Sequence, residues 1–164
     1  GGPYDLCAAG RYWCHDAKYR KHIGDRERLK TQLLQVAEQA ETDDYKMGER
    51  YDMNYVYYKS NKNWHGSPLY YEYPNTFAAV LFRDYLGFSG SDVADISLMP
   101  ALLDFGSVKS EVWGVSYKYE KNNFTVTNLT NEAKTAELDL SLLYKGSAPC
   151  ILELLAGQSK VLKV

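Results

Sequence analysis

Between Met47 and Gly87 the chain gathers most of the side chains able to do chemistry. The run Gly48-Glu49-Arg50-Tyr51-Asp52 holds a pair of carboxylates, and Glu72 supplies another just ahead of Pro74-Asn75. Trp64, His65, Tyr70 and Tyr71 lie between them, and eight of the fifteen tyrosines fall between Tyr45 and Tyr73. A positioned carboxylate or imidazole moves protons. A tyrosine offers a flat apolar face and a hydroxyl, which suits the edge of a core or a sugar-contacting cleft equally well.

The elements around this stretch follow from spacing. A loop leads into a short helix over Cys14–Ile23, which Gly24 stops. Asp25 is placed to cap a second helix, Arg26 to Glu41, whose Leu29, Leu33, Val36, Ala37 and Ala40 form one apolar stripe. After the aromatic stretch, Asn75 is expected to cap a helix over Thr76–Leu86, with Gly87 past its end. Phe77, Ala78, Ala79, Val80, Leu81, Phe82, Tyr85 and Leu86 cover nearly all of it, and Arg83 and Asp84 are its only charges, which predicts burial on all sides. Ile96–Pro100 reads as a short extended segment. From Val108 onward the period becomes two: Trp113, Val115, Tyr117 and Tyr119, then Phe124 and Val126, then Ala136, Leu138, Leu140 and Leu142, then Cys150–Leu155 and Lys160–Val164. The expected fold class is therefore α+β, with a helical segment over 1–104 and an antiparallel β-sheet or sandwich over 105–164.

Composition narrows the function classes. A chain of 164 residues with a formal net charge of -2 and interleaved charges has no basic stripe for a nucleic acid. No apolar run approaches the roughly 20 residues that span a bilayer. Residues 1–15 show no export signal, a feature that leaves secreted and periplasmic placement open. The sequence holds neither a phosphate-cradling glycine loop nor a His/Cys set at ligand spacing, so no cofactor and no metal is expected. Cys7, Cys14 and Cys150 read as free or buried thiols, with a Cys7–Cys14 disulfide as the other option. Asn123-Phe124-Thr125 and Asn128-Leu129-Thr130 match the glycosylation sequon.

Residues 25–87 resemble glycoside hydrolases with an (α/α)6 barrel, especially the trehalase and processing α-glucosidase group. Glu49-Arg50-Tyr51-Asp52 is similar to the Glu-x-Tyr-Asp-like segment those enzymes carry after a helix near the end of the barrel. The run from Glu72 to Leu81 is similar to the segment that opens the last barrel helix. Phe77-Ala78 stands where that group usually has Trp-Ser or Trp-Thr, and a strand-rich tail is commoner in other (α/α)6 families. The resemblance implies that Glu49 is the catalytic base and that the general acid comes from an earlier part of the barrel. It further implies an inverting hydrolysis, in which an ionised carboxylate activates water while a protonated carboxyl, about 6.5–9.5 Å away, donates its proton to the leaving oxygen.

In that reading Tyr51 and Tyr55 orient Glu49. Trp64, Tyr70 and Tyr71 face sugar rings, His65 and Asn63 contact hydroxyls, and Asp52 and Glu72 complete the substrate-binding set. The partners implied are a carbohydrate substrate and the remainder of the barrel, with no nucleic acid and no membrane. Plainer readings stand beside it: Glu49 as a surface residue, Asp52 as a loop hydrogen-bonder, His65 as an ordinary loop histidine, Glu72 as a turn residue, and Trp113, Tyr117 and Tyr119 as sheet core. Two other function classes fit the same residues. One is a non-catalytic carbohydrate-binding or interaction module. The other is part of a toroid-type polysaccharide lyase using Tyr51, His65 and Arg50. An all-apolar helix and the stripe of 29–40 need more cover than three helices and a sheet supply. The chain is therefore expected to be the C-terminal part of a larger protein or one member of a tight complex, with dimerisation through the helices as the rival.

Overall fold

The computed structural model describes residues 8–9, 13–42, 44–45, 50–51 and 72–163, with 8–9 and 50–51 described through their backbone. They fall into two compact units that divide between Leu81 and Phe82.

In the first unit, α1 (Trp13–His22) and α2 (Arg26–Thr42) form a helical hairpin. Gly24 turns the corner at a φ of 76°, a conformation an L side chain resists. Asp25 is the expected cap: its Oδ1 accepts from the Arg28 N–H at 3.3 Å. Most of the stripe read from the sequence is the covered face, with Leu29, Leu33 and Ala40 out of solvent and Val36 half-buried, but Ala37 is exposed. Polar groups lock the hairpin. Arg20 donates from Nε to Asp16 Oδ2 at 3.2 Å and from Nη1 to Asp25 Oδ2 at 3.0 Å, while Gln32 Nε2 donates to Asp16. These carboxylates raise the Arg20 pKa above its ordinary value, Asp16 first. The pairs are partly exposed, so each contributes little beyond geometry.

The short strands β1 (Ala8–Ala9) and β2 (Arg50–Tyr51) pair antiparallel, Ala8 opposite Tyr51 and Ala9 opposite Arg50. Helix α3 spans Glu72–Ala79 and runs on as a π-helical segment, Val80–Tyr85. It therefore starts ahead of the expected Thr76, and Asn75 is not its cap. Pro74 sits in the first turn, where a backbone N–H has no helical acceptor to lose. Thr76 Oγ1 bonds back to the Glu72 carbonyl at 2.6 Å. Burial on all sides is not observed: Val80 and Asp84 are buried, but Ala79 is exposed and Phe82 is 53% exposed.

The second unit is a β-sandwich. Its strands are β3 (Phe88–Ser89), β4 (Ile96–Leu98), β5 (Gly106–Ser110), β6 (Val115–Tyr119), β7 (Asn123–Asn128), β8 (Lys134–Leu138), β9 (Cys150–Leu154) and β10 (Ser159–Lys163). One sheet has the order β10-β7-β6-β5, the other β3-β4-β8-β9. All pairings are antiparallel except β4 with β8, which run parallel with Ile96 opposite Ala136. The alternation read from the sequence is the inward face: Val115, Tyr117 and Tyr119, Phe124 and Val126, Ala136 and Leu138 enter one core with Phe88, Ile96, Leu98, Leu102, Leu140 and Leu154. Stacking of Tyr117 between Phe88 (5.4 Å) and Phe124 (5.1 Å) ties the two sheets.

The expected division at 104/105 lies downstream of the observed one. Phe88, Ile96 and Leu98 are sandwich core, so β3 and β4 belong to the second unit. At its entrance Gly87 has a φ of 82°, and a Cβ there would collide with the Met99–Pro100 backbone. That close approach lets Met99 N–H reach the Gly87 carbonyl at 2.9 Å.

Candidate functional site

Of the residues singled out for chemistry, Glu49, Asp52, Trp64, His65, Tyr70 and Tyr71 lie outside the described residues, as do Tyr55 and Asn63. Tyr51 is placed through its backbone, in the ladder with Ala8. This pairing sets Ala8 and Ala9 beside Arg50 and Tyr51, a relation that no spacing in Ala8-Ala9 announces.

Glu72 is the candidate whose surroundings are described. It opens α3 half-buried, with carboxylate oxygen Oε2 withdrawn from solvent. The turn that carries it is held firmly. Tyr73 is buried against Ala40, with Trp13 and Val36 packed on the pair. The indole Nε1 of Trp13 donates to Thr76 Oγ1 at 3.1 Å, while that hydroxyl donates to the carbonyls of Glu72 and Tyr73. A side chain from α1 thus fixes the first turn of α3 across a gap of 63 positions in the chain. The expected helix began one residue later, at Cys14, and left Trp13 in the preceding loop. Its indole N–H, which needs a partner when withdrawn from water, was the available signal.

The charges on the following π-helical segment pair with each other. Arg83 donates from Nε to Asp84 Oδ1 at 3.0 Å and from Nη2 to Oδ2 at 2.7 Å. Asp84 is buried and the guanidinium reaches toward water. A bidentate pair of this kind carries a carboxylate into an apolar setting without leaving it uncompensated.

Comparison with protein-family models, with curated proteins and with solved structures finds no match.

In the sandwich, Tyr117 and Tyr119 are buried and Trp113 is half-buried, which makes them sheet core. Tyr117 donates its hydroxyl to the Leu86 carbonyl at 2.7 Å, and burial pushes its pKa upward. Tyr144, partly exposed, donates to the carbonyls of Glu120 (2.6 Å) and Asn123 (2.7 Å). These hydroxyls are engaged with backbone. The outer face of the β5–β6–β7–β10 sheet carries Ser107, Lys109, Ser116, Lys118, Thr125, Thr127, Ser159 and Val161, and so presents hydroxyls and amines with no aromatic platform. Among the described residues, no group of three or more His, Cys, Asp and Glu comes together to hold a metal ion. Nor is any described helix long and apolar enough to cross a membrane. Cys150 is an exposed free thiol.

Proposed function

We propose that this chain is the C-terminal segment of an (α/α)6-barrel glycoside hydrolase of the trehalase and processing α-glucosidase type, acting with inversion on a carbohydrate substrate. Glu49 is the general base, and the general acid belongs to the remainder of the barrel. Tyr51, Asp52, Trp64, His65, Tyr70, Tyr71 and Glu72 bind substrate. One observation carries the reading: a helical hairpin, the Glu49–Asp52 run and a helix opening at Glu72 follow one another and lead directly into a β-sandwich. Two further features support it. The first turn of α3 is anchored by Trp13, which suits a turn that must present a carboxylate. Exposed apolar side chains on the helices, Leu34 at 53% and Phe82 at 53%, leave surface for further barrel helices to cover.

The experiment is hydrolysis of α-glucosides by the protein in which this segment is joined to its barrel, with the anomer of the product read by NMR. Glu49→Gln is expected to lower kcat by about 10²–10⁴-fold with the fold intact. Near-full activity in that variant would sink the assignment. Appearance of an unsaturated product absorbing in the ultraviolet would instead identify a lyase.

A non-catalytic carbohydrate-binding module is the second reading, supported by the closed core of the sandwich over Phe82–Val164. Glycan binding by the folded 164-residue chain, with no hydrolysis when any barrel is supplied, would favour it.

A further inference from the structure

The two glycosylation sequons are alike in sequence and opposite in the fold. Both lie on β7 or its immediate end, five positions apart, with their asparagines at the two ends of that strand. Asn128 is 1% exposed. Its Nδ2, the atom that a glycan would occupy, donates to the carbonyls of Glu132 (2.7 Å), Leu155 (3.1 Å) and Leu154 (3.2 Å). Its Oδ1 accepts from Thr130 N–H (2.9 Å) and Thr130 Oγ1 (2.8 Å), so the sequon hydroxyl is consumed as well. A sugar on Nδ2 would remove at least one of these bonds and place a large polar group between the sheets.

Asn123 begins the same strand after the Lys121-Asn122 turn. Phe124 points into the core at 0% exposure, and the period of two therefore turns Asn123 and Thr125 outward together. Neither side chain makes a hydrogen bond among the described residues. The Asn123 backbone is fully committed to the fold: its carbonyl accepts from Glu120 N–H at 3.0 Å and from Tyr144 Oη at 2.7 Å. Its neighbour across the sheet is Lys163 of β10, an exposed residue. The side-chain amide thus projects from a rigid backbone, beside a free hydroxyl at the position the sequon requires.

We infer that Asn123 is an N-glycan acceptor site and that Asn128 is closed to glycosylation in the folded chain. The donor is a lipid-linked oligosaccharyl diphosphate. Asn123 Nδ2 forms the bond to the anomeric carbon and gives up one proton. The bond from that carbon to the diphosphate oxygen breaks, and the lipid diphosphate leaves with the electron pair. No oxidation or reduction is involved. A glycan at Asn123 extends over the hydroxyl- and lysine-rich outer face and displaces nothing from the core.

The test is secretion of the whole chain, behind a cleavable export signal, from a eukaryotic host. Peptide N-glycosidase release followed by peptide mass spectrometry reads each asparagine by its conversion to aspartate. The secreted, folded pool is expected to carry a glycan at Asn123 and none at Asn128. Asn123→Gln and, independently, Thr125→Ala are expected to abolish the mobility shift while keeping the far-ultraviolet circular dichroism of the unmodified chain. If the chain is retained in the cell, the same digest is made on the retained pool, where Asn128 occupancy is expected only in aggregated material. An unoccupied Asn123 in both pools, or an occupied Asn128 in soluble folded protein, overturns the inference.

Discussion

The side-chain amide of Asn128, at the end of β7, donates to the main-chain carbonyl of Leu154, at the end of β9, over 3.2 Å. Those strands belong to different sheets. The same nitrogen also bonds the carbonyls of Glu132 and Leu155. One buried polar side chain therefore stitches the sandwich shut at the end where the backbone must leave one sheet for the other. Leu155 to Gln158 makes that passage, and Asn128 N–H holds the Gln158 carbonyl at 2.9 Å.

Asn128→Ala takes the side-chain donor from the Leu154 carbonyl, where the bond is buried, and from the part-buried Leu155 carbonyl, while the Glu132 carbonyl keeps Thr130 Oγ1 at 3.1 Å. Unsatisfied buried acceptors cost more than the net worth of a hydrogen bond, so a loss of about 2–4 kcal/mol is expected. Urea unfolding of the whole chain, followed by circular dichroism, measures it through the transition midpoint. A shift no larger than that of Thr127→Ala, on the outer face of the same strand, would show that the bridge is idle.

Gly87→Ala places a methyl group against the Met99–Pro100 backbone and demands a φ of 82° from an alanine. The conformational strain alone is worth about 1–3 kcal/mol, and the collision adds to it. Thermal unfolding is the readout, with Gly90→Ala as control, because nothing stands within 4 Å of a Cβ at that position. Equal melting temperatures for the two variants would contradict the close-approach argument.

Tyr117 is held protonated by burial and by the charge that would develop beside Tyr85. Its folded pKa lies above the ordinary 10.0. The folded state binds this proton more tightly than the unfolded state does. The contribution to stability is complete below pH 10.0 and drains away as the pH rises through the folded value. Difference absorbance should show one tyrosine that ionises only as the chain unfolds at alkaline pH. Tyr117→Phe removes that late step and, by orphaning the Leu86 carbonyl, costs about 1–2 kcal/mol at neutral pH. Ionisation of every tyrosine before any loss of structure would refute it.

Asp95 works in the opposite direction. Its Oδ2 accepts from the Thr135 N–H and Oγ1 (2.9 Å for the latter), and the backbone bond first, then the hydroxyl, lowers its pKa below the ordinary 3.8. The folded state favours the carboxylate. This stability is present above pH 3.8 and is lost as the pH falls through the folded value. The Asp95→Asn variant should therefore be less stable than the parent at pH 7 and converge with it in acid. Denaturation midpoints across the acid range test this, and parallel curves with no convergence would rule it out.

Several elements were plain in the amino-acid order because their signals are local. Asp25 caps α2, Leu29, Leu33 and Ala40 of the predicted stripe are buried, Gly24 and Gly87 hold positive φ, and the alternation from Val115 to Leu138 marks inward and outward sides of the strands. Other elements misled for equally local reasons. Pro74-Asn75 resembled a helix start, yet a proline fits inside the first turn, and α3 begins at Glu72. Strand β5, Gly-Ser-Val-Lys-Ser, is an edge with one apolar residue and leaves almost no periodic trace. The helix expected to be apolar all round exposes Phe82 and buries Asp84, whose charge the exposed Arg83 compensates.

Sequence alone therefore determined the α+β class, the first two helices and the strand faces, since helix caps and periodicities of two and 3.6 act over a few neighbouring residues. It also marked Glu49, Tyr51, Asp52, Trp64, His65, Tyr70, Tyr71 and Glu72 as the side chains with chemistry to offer. Tertiary structure alone decided the parallel pairing of β4 with β8, the anchoring of α3 by Trp13, and the different surroundings of Asn123 and Asn128. Each of these depends on contacts between residues distant in the chain or on which face a side chain is turned to. Two sequons of one pattern cannot announce that one amide lies on the outer face while the other is buried and bonds carbonyls of the facing sheet.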